Sequence, residues 1–345
     1  MNIAILIPSL DPDDALVTLV SSLQQRGVDH IVVIDDGSAA QEQFDRCAAL
    51  GCVVAHHTRN LGKGAAIRTG LRTAQQHFPD LAGVVTADGD GQHAVEDILR
   101  VAQEVLRCPD SVTLGTRDFS APGIPARSRF GNRFSSLFFR LSAGVPCPDT
   151  QTGLRGIPAS LFDFALSIPG SRYEYEMNFL FTVAQQSIPL HFIPIQTIYE
   201  AGNQSSHFRP IRDSARIYAM PLRFAAASLS SFVIDIALFA LFSQLFAVRT
   251  ARAIFIATAA ARVCSGVVNF TLNRSWSFAN KEDDWKAQGI RYLILFLCQM
   301  CASSGLVYLL AFLPLPLTFI KIVVDTGLFC VSYFIQRNWV FRKKR

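Results

Sequence analysis

The sequence predicts two folds in series: an α/β domain in the N-terminal part, then an all-α bundle of four transmembrane helices. Three observations lead there. Composition changes near Arg223, from mixed charges, glycines and short apolar runs to long apolar stretches with charges at their ends. In the first part, short apolar strands alternate with helical patterns, and carboxylates and glycines recur where the strands stop. In the second, four apolar stretches reach the roughly 20 residues that a helix needs to cross a bilayer.

A chain of 345 residues is long for a single core and suits two domains. Half its residues are hydrophobic and only 17% are charged, an apolar balance for a soluble protein. Ile3-Ala4-Ile5-Leu6-Ile7 is too short for a signal-peptide core and runs into Pro8 and the acidic Asp11-Pro12-Asp13-Asp14, so the N-terminal domain is expected to stay in the cytoplasm. The eight cysteines lack the spacing of a disulfide framework, which agrees. Cys298 and Cys301 form a CxxC inside an apolar run and read as small packing residues. The net charge of +5 gathers beside the apolar segments, at Arg209, Arg212, Arg216, Arg223 and the Arg342–Arg345 tail. Cations placed there face anionic lipid, and nucleic acid is not expected as a partner.

Taken in order, Ile3–Ile7 reads as a buried strand and Ala15–Arg26 as a helix. Ile31–Ile34 is a second strand, ending in Asp35-Asp36-Gly37-Ser38, and Leu81–Thr86 is another, ending at Asp88. Ligands of open parallel α/β sheets bind at such carboxyl ends. Asp88 and Asp90 flank one glycine, so two carboxylates can converge on one hard cation; Mg²⁺ and Mn²⁺ prefer oxygen ligands and often share substrate phosphates. Gln92 offers a neutral oxygen and His93 a nitrogen. A bare Asp-x-Asp is usually a solvated loop. Here it follows a buried strand and continues to Glu96-Asp97 at a helix start, which favours a metal site. A carboxylate of the Asp35-Asp36 pair is suited to accept the ring N–H of a uracil or guanine. The glycine-rich Asn60–Ala66 stretch enters a helix, where backbone N–H groups and Lys63 suit a phosphate or the base pocket; an ordinary helix start explains it equally well.

The expected spans are approximately Phe224–Val248, Ala253–Leu272, Tyr292–Leu313 and Leu317–Ile335. With the first domain inside and an even number of crossings, the C-terminus lies inside as well. Lys281, Lys286, Arg291 and the tail obey the positive-inside rule, while Arg249 and Arg252 run against it. Val268–Phe278 and Val331–Phe341 echo each other, with Arg274/Trp276/Phe278 matched at identical offsets by Arg337/Trp339/Phe341. A tryptophan beside a cation anchors a helix at the interface. The repetition suggests two hairpins that arose by duplication. Asp235, Arg262 and Asp325 fall within the spans, where unpaired charge is costly; Arg262 is expected to bridge one or both aspartates.

Taken together, Ile7-Pro8-Ser9, Asp35–Ser38, Asn60-x-Gly-Lys-Gly64, Asp88–His93, Gly115-Thr116-Arg117, Asp149–Arg155 and Tyr173–Glu176 resemble the family 2 glycosyltransferases of GT-A fold, particularly the dolichol- and polyprenyl-phosphate sugar synthases. The later echo, with Ser231–Asp235, resembles the GtrA-like membrane domain. The resemblance implies a GT-A domain over 1–207, a basic linker over 208–223 and a four-helix domain over 224–345. It implies an inverting, Mg²⁺- or Mn²⁺-dependent transfer from GDP-mannose or a UDP-hexose to a polyprenyl phosphate. By likeness Pro8 and Asp36 line the nucleotide pocket, Asp88, Asp90 and Gln92 hold the metal, and Arg117 faces phosphate. Lys63 and Arg209 count with the donor, and Glu176 orients the sugar or acts as a base, unless it and Glu174 are structural. The chain departs from many relatives at Leu10-Asp11-Pro12-Asp13 and in the basic loop Ser205–Arg209.

In Arg127–Leu141, Phe130, Phe134, Leu137, Phe138 and Leu141 share a helical face beside Arg129, Arg133 and Arg140. Such a helix suits a membrane interface; a core helix is the plainer reading. On the first reading Arg117, Arg129 and Arg133 clamp a lipid phosphate. The expected partners are therefore the nucleotide sugar, the lipid phosphate and the bilayer, and a homo-oligomer is compatible with the pattern. Two other readings stand beside this one: transfer to a lipid or glycan hydroxyl, and a lipid-linked-sugar translocator with a vestigial transferase domain.

Overall fold

The computed structural model describes residues 2–121, 124–198, 218–245, 251–278, 283–310 and 312–342. They form two compact units, Met1–Ile217 and Tyr218–Arg345.

In the first unit, one seven-stranded sheet has the order β3-β2-β1-β4-β6-β5-β7. Its strands are β1 (Ile3–Ser9), β2 (Ile31–Asp35), β3 (Val53–His56), β4 (Gly83–Thr86), β5 (Val112–Arg117), β6 (Arg155–Pro158) and β7 (Leu190–Ile195). Only β6 runs against its neighbours, β4 and β5. Along β1 successive side chains enter opposite layers: Ala4 and Leu6 join one core, and Ile3, Ile5 and Ile7 join the other. A strand buried on both faces reads as a continuous apolar run, as β1 does. Helices α1 (Asp14–Gln25), α2 (Glu42–Ala49) and α4 (Val95–Arg107) supply one layer. Helices α3 (Lys63–His77), α5 (Ala126–Ala143), α6 (Phe162–Ser167) and α7 (Glu174–Gln185) supply the other. Asp13 caps α1, its Oδ1 accepting from the Ala15 N–H at 2.9 Å. Strand order turns at β1, whose neighbours are β2 and β4, and ligands of such sheets bind outside the strand ends at this point.

The second unit holds α8 (Ala219–Leu245), α9 (Ala251–Leu272), α10 (Trp285–Leu310) and α11 (Leu317–Ile335). Pro221–Phe242 and Trp285–Leu310, each of mean hydropathy 2.0, are the two described stretches long and apolar enough to cross a membrane. The unit is inverted relative to a water-soluble bundle. Val263, Val267, Ile290 and Leu309 are exposed, while Asn273, Ser277, Gln288 and Gln336 are buried.

The two echoed segments take the same unusual backbone. Asn273–Ser277 and Gln336–Val340 are both π-helical, closed by Phe278 N–H to Asn273 O at 2.9 Å and Phe341 N–H to Gln336 O at 2.8 Å. Their closing rings stack on each other, 5.1 Å apart and 21° from parallel. The residues that open them also meet, Asn273 Nδ2 donating to Gln336 Oε1 at 3.2 Å. Trp276 and Trp339 are 44% and 41% exposed, nearly equal, as repeated interface anchors should be. Equivalent positions therefore touch each other, the contact pattern of a pseudo-two-fold pair. Arg262 Nε lies 3.4 Å from Asp235 Oδ2, and Ser303 donates to Asp325 at 2.6 Å. Arg262 thus bridges Asp235, one of the two aspartates expected.

Candidate active site

Asp88 follows β4, on the segment facing the turn in strand order. Its Oδ1 lies 2.7 Å from Lys63 Nζ, and its Oδ2 lies 3.3 Å from His93 Nε2. Lys63 also reaches Glu176 Oε1 at 3.2 Å, and Arg155 Nε stands 3.9 Å from that oxygen. Four charged side chains from α3, β6, α7 and the β4 end thus meet in one place. Burial opposes charge on both Asp88 and Lys63, yet each overcomes it for the other. Lys63, with help from His93, holds the Asp88 carboxyl well below the usual range, while Asp88 and Glu176 hold the Lys63 ammonium above its own.

Asp90 responds oppositely. Burial, and then the nearby Asp88 charge, push its carboxyl up. Its Oδ1 accepts from the Gln92 N–H at 3.1 Å, closing a tight turn from Asp90 to Gln92 just after Asp88. Asp88 and Asp90, one carboxylate raised by the other's charge, and the Gln92 amide two residues on are the oxygen donor types that a hard divalent cation prefers.

The opposite wall is Thr152–Arg155. A β-carbon on Gly153 would stand 2.2 Å from Asp88 Oδ2, so only glycine lets this wall approach the carboxylate. Thr86 Oγ1 fixes the wall by donating to Gly153 O at 2.7 Å. Arg155, 2% exposed, donates to Thr152 O at 2.9 Å and to Glu176 O at 2.7 Å, tying the wall to α7. Sequence reasoning gave Arg155 and Gly153 no role; their signal was their place in the Asp149–Arg155 string.

Asp36 is 4% exposed and already engaged on both oxygens. Oδ1 accepts from the Leu61 N–H at 2.9 Å and lies 2.8 Å from His57 Nδ1, while Oδ2 accepts from the Gly62 N–H at 2.7 Å. It holds the loop that starts α3 and so sets where Lys63 emerges. Asp35 likewise accepts from the Ser38 N–H at 2.7 Å and Gln41 Nε2 at 2.9 Å. Pro8, at the end of β1, is half-buried, and beside it the buried Ser9 hydroxyl has no partner among the described residues. Glu174 accepts from the Ser171 and Arg172 N–H groups, a local turn contact, whereas Glu176 faces the site.

Arg117 ends β5, its Nε 2.7 Å from Oδ2 of the fully buried Asp149. Pro148 O, next in the chain, accepts from Asn132 Nδ2 at 2.8 Å and Ser136 Oγ at 3.1 Å, so a single segment supports both Arg117 and α5. That helix is turned inside out. It buries Asn132, Ser135, Phe139 and Ser142, and exposes Phe130 by 72%, Leu137 by 56%, Phe134 and Leu141. Phe138, expected on the outer face, is half-buried against Phe181, and its neighbour Phe139 enters the core. Arg133 is exposed. Arg129 donates from Nη2 to Ile124 O at 3.3 Å, and its buried Nε has no partner among the described residues. Arg209 lies outside the described residues.

Residues 4–162 match the model of glycosyl transferase family 2, and residues 223–341 match that of the GtrA/DPMS transmembrane domain. An uncharacterized protein of Methanocaldococcus jannaschii is 29% identical over 211 residues, covering 59% of this chain and 84% of its own. The UDP-N-acetylglucosamine–dolichyl-phosphate N-acetylglucosaminyltransferase of Methanococcus voltae is 27% identical, covering 57% and 86%. Glycosyltransferase AglJ of Haloferax volcanii is 25% identical, covering 63% and 69%.

Proposed function

The chain is a glycosyltransferase, with a GT-A-like family 2 domain followed by a GtrA-like membrane domain, and we propose that it transfers a sugar from a nucleotide-sugar donor to a polyprenyl phosphate. The observation that carries the acceptor is α5, which exposes Phe130, Phe134, Leu137 and Leu141 beside Arg133 while burying its small polar face. Exposed apolar area of this kind with flanking cations suits a bilayer surface and an anionic lipid. The M. voltae relative is named for transfer to dolichyl phosphate from a UDP-sugar, which makes UDP-sugars the first donors to try and GDP-mannose the next.

Asp88, Asp90 and Gln92 would hold Mg²⁺ or Mn²⁺, which supplies positive charge against the nucleoside diphosphate as it departs. The remaining work falls to the protein's own groups. Lys63, drawn to the site by Asp88 and Glu176, brings a second cation to the donor phosphates. Glu176 holds Lys63 and the sugar rather than taking a proton, because a lipid phosphate is already a nucleophile at neutral pH. Asp36 acts on the donor indirectly, by fixing the Leu61–Lys63 backbone. Pro8 and the buried Ser9 hydroxyl, without a partner among the described residues, border the base. Arg129 and Arg133 receive the lipid phosphate, and Arg117, oriented by Asp149, faces it from the sheet. The membrane unit spans the bilayer four times, with the catalytic unit and the C-terminus in the cytoplasm.

The test is the full-length protein with Mg²⁺ or Mn²⁺, a panel of labelled nucleotide sugars, and either polyprenyl phosphate or the corresponding alcohol. Label entering lipid only with the phosphate is the expected result. Transfer to the alcohol would replace this acceptor with a hydroxyl, and no transfer with any donor would leave the translocator reading.

A further inference from the structure

At the end of the sheet opposite Asp88, three side chains of different chemistry converge. Glu104 and Cys108 lie one turn apart at the C-terminal end of α4, and His191 is the second residue of β7, paired with Thr113 of β5. His191 Nδ1 lies 3.2 Å from Glu104 Oε1, and Cys108 Sγ lies 3.5 Å from the same oxygen. All three ligand atoms fall within 4.8 Å of one another. We infer that Glu104, Cys108 and His191 form a second metal site, for a borderline-soft divalent ion of the Zn²⁺ class, separate from the hard-oxygen set at Asp88.

The donor types carry the distinction. A thiolate and an imidazole favour Zn²⁺ or Co²⁺ and suit Mg²⁺ or Mn²⁺ poorly, while two carboxylates with an amide oxygen do the reverse. Two of the separations, 3.2 and 3.5 Å, lie near those of ligands sharing one small ion, since bonds of about 2.0–2.3 Å place tetrahedral donors roughly 3.3–3.8 Å apart. The frame is set by the fold: residues four apart on a helix share a face, and β7 fixes the third ligand through its ladder with β5. All three side chains are partly exposed, so an ion can enter and water can fill the fourth position. The neighbouring cation is Arg107, Nη1 3.8 Å from Glu104 Oε2; its side chain is 74% exposed and can swing into solvent. A bound ion would link the end of α4 to β7 without touching the Asp88 cluster.

Cobalt reads the site directly. Full-length protein, reduced and held in excess Mg²⁺ to occupy the oxygen site, is titrated with Co²⁺. A near-ultraviolet thiolate-to-cobalt charge-transfer band should saturate at one equivalent and vanish when Zn²⁺ is added. Cys108→Ser, which keeps a hydrogen-bond donor toward Glu104, should abolish the band and leave Mg²⁺-supported transferase activity intact. His191→Ala should weaken cobalt binding at least tenfold. No band at one equivalent, or an undiminished band in Cys108→Ser, overturns the site, whatever the outcome for the glycosyl-acceptor reading.

Discussion

The two units bury polar groups in opposite ways. The catalytic unit brings Lys63, Asp88, Glu176 and Arg155 together in one cluster, each charge held by another. The membrane unit closes a neutral chain instead. Tyr292 donates to Asn269 at 2.9 Å, Asn273 to Asn269 at 2.8 Å and to Gln336 at 3.2 Å, and Gln336 to Ser332 at 3.0 Å. Among its charges, Arg262 is 63% exposed on its side chain. Desolvated charge is costly and is kept where a charged ligand will use it; amides and hydroxyls satisfy one another and hold helices in register at lower cost. The contrast separates chemistry from scaffolding.

The sharpest way to break it is at the proposed metal set. Asp88→Asn should lower kcat about 10³-fold, because it removes a proposed ligand and the partner of Lys63 together. Initial rates at saturating donor and lipid measure this, and an enzyme retaining wild-type rate would remove the cluster from the reaction. Gly153→Ala comes next. Its new methyl displaces the Asp88 carboxylate without changing charge, and displacement of about 1 Å at a catalytic group costs about 10²-fold in rate. A fall in kcat with little change in Tm is expected; equal loss of both would mark Gly153 as a folding position only.

On the membrane side effects should be small. Asn273→Ala and Gln336→Ala, alone and together, should show a coupling of about 0.6 kcal/mol in unfolding, the usual scale for a hydrogen bond between membrane helices. The transfer rate should barely move. A large catalytic defect in either variant would contradict the scaffold role.

Much of the catalytic unit was legible because its signals are local. The apolar run of β1, the carboxylates at the ends of β2 and β4, and the turn closed by Asp90 and Gln92 each occupy a few consecutive residues. What escaped depends on strand order. Lys63 can join Asp88 to Glu176 only because α3 and α7 cover the same face of the sheet, and Gly153 matters only because β6 lies beside β4. Asp36 reads as a base ligand from its place at a strand end; that Leu61, Gly62 and His57 engage both its oxygens is a tertiary fact. In α5 the periodicity picked out the exposed face well but put Phe138 outside and overlooked Phe139, since the buried face is the polar one. The echo at Arg274 and Arg337 was plain, whereas the π-helical turns it adopts were not.

The central claim is that the catalytic unit takes a lipid phosphate through α5, and steady-state kinetics with both substrates varied test it most directly. Arg129→Ala and Arg133→Ala should each raise KM for polyprenyl phosphate about tenfold, the loss of one charge-assisted contact, and leave KM for the nucleotide sugar unchanged. Equal changes in both constants, or none in either, would contradict the account.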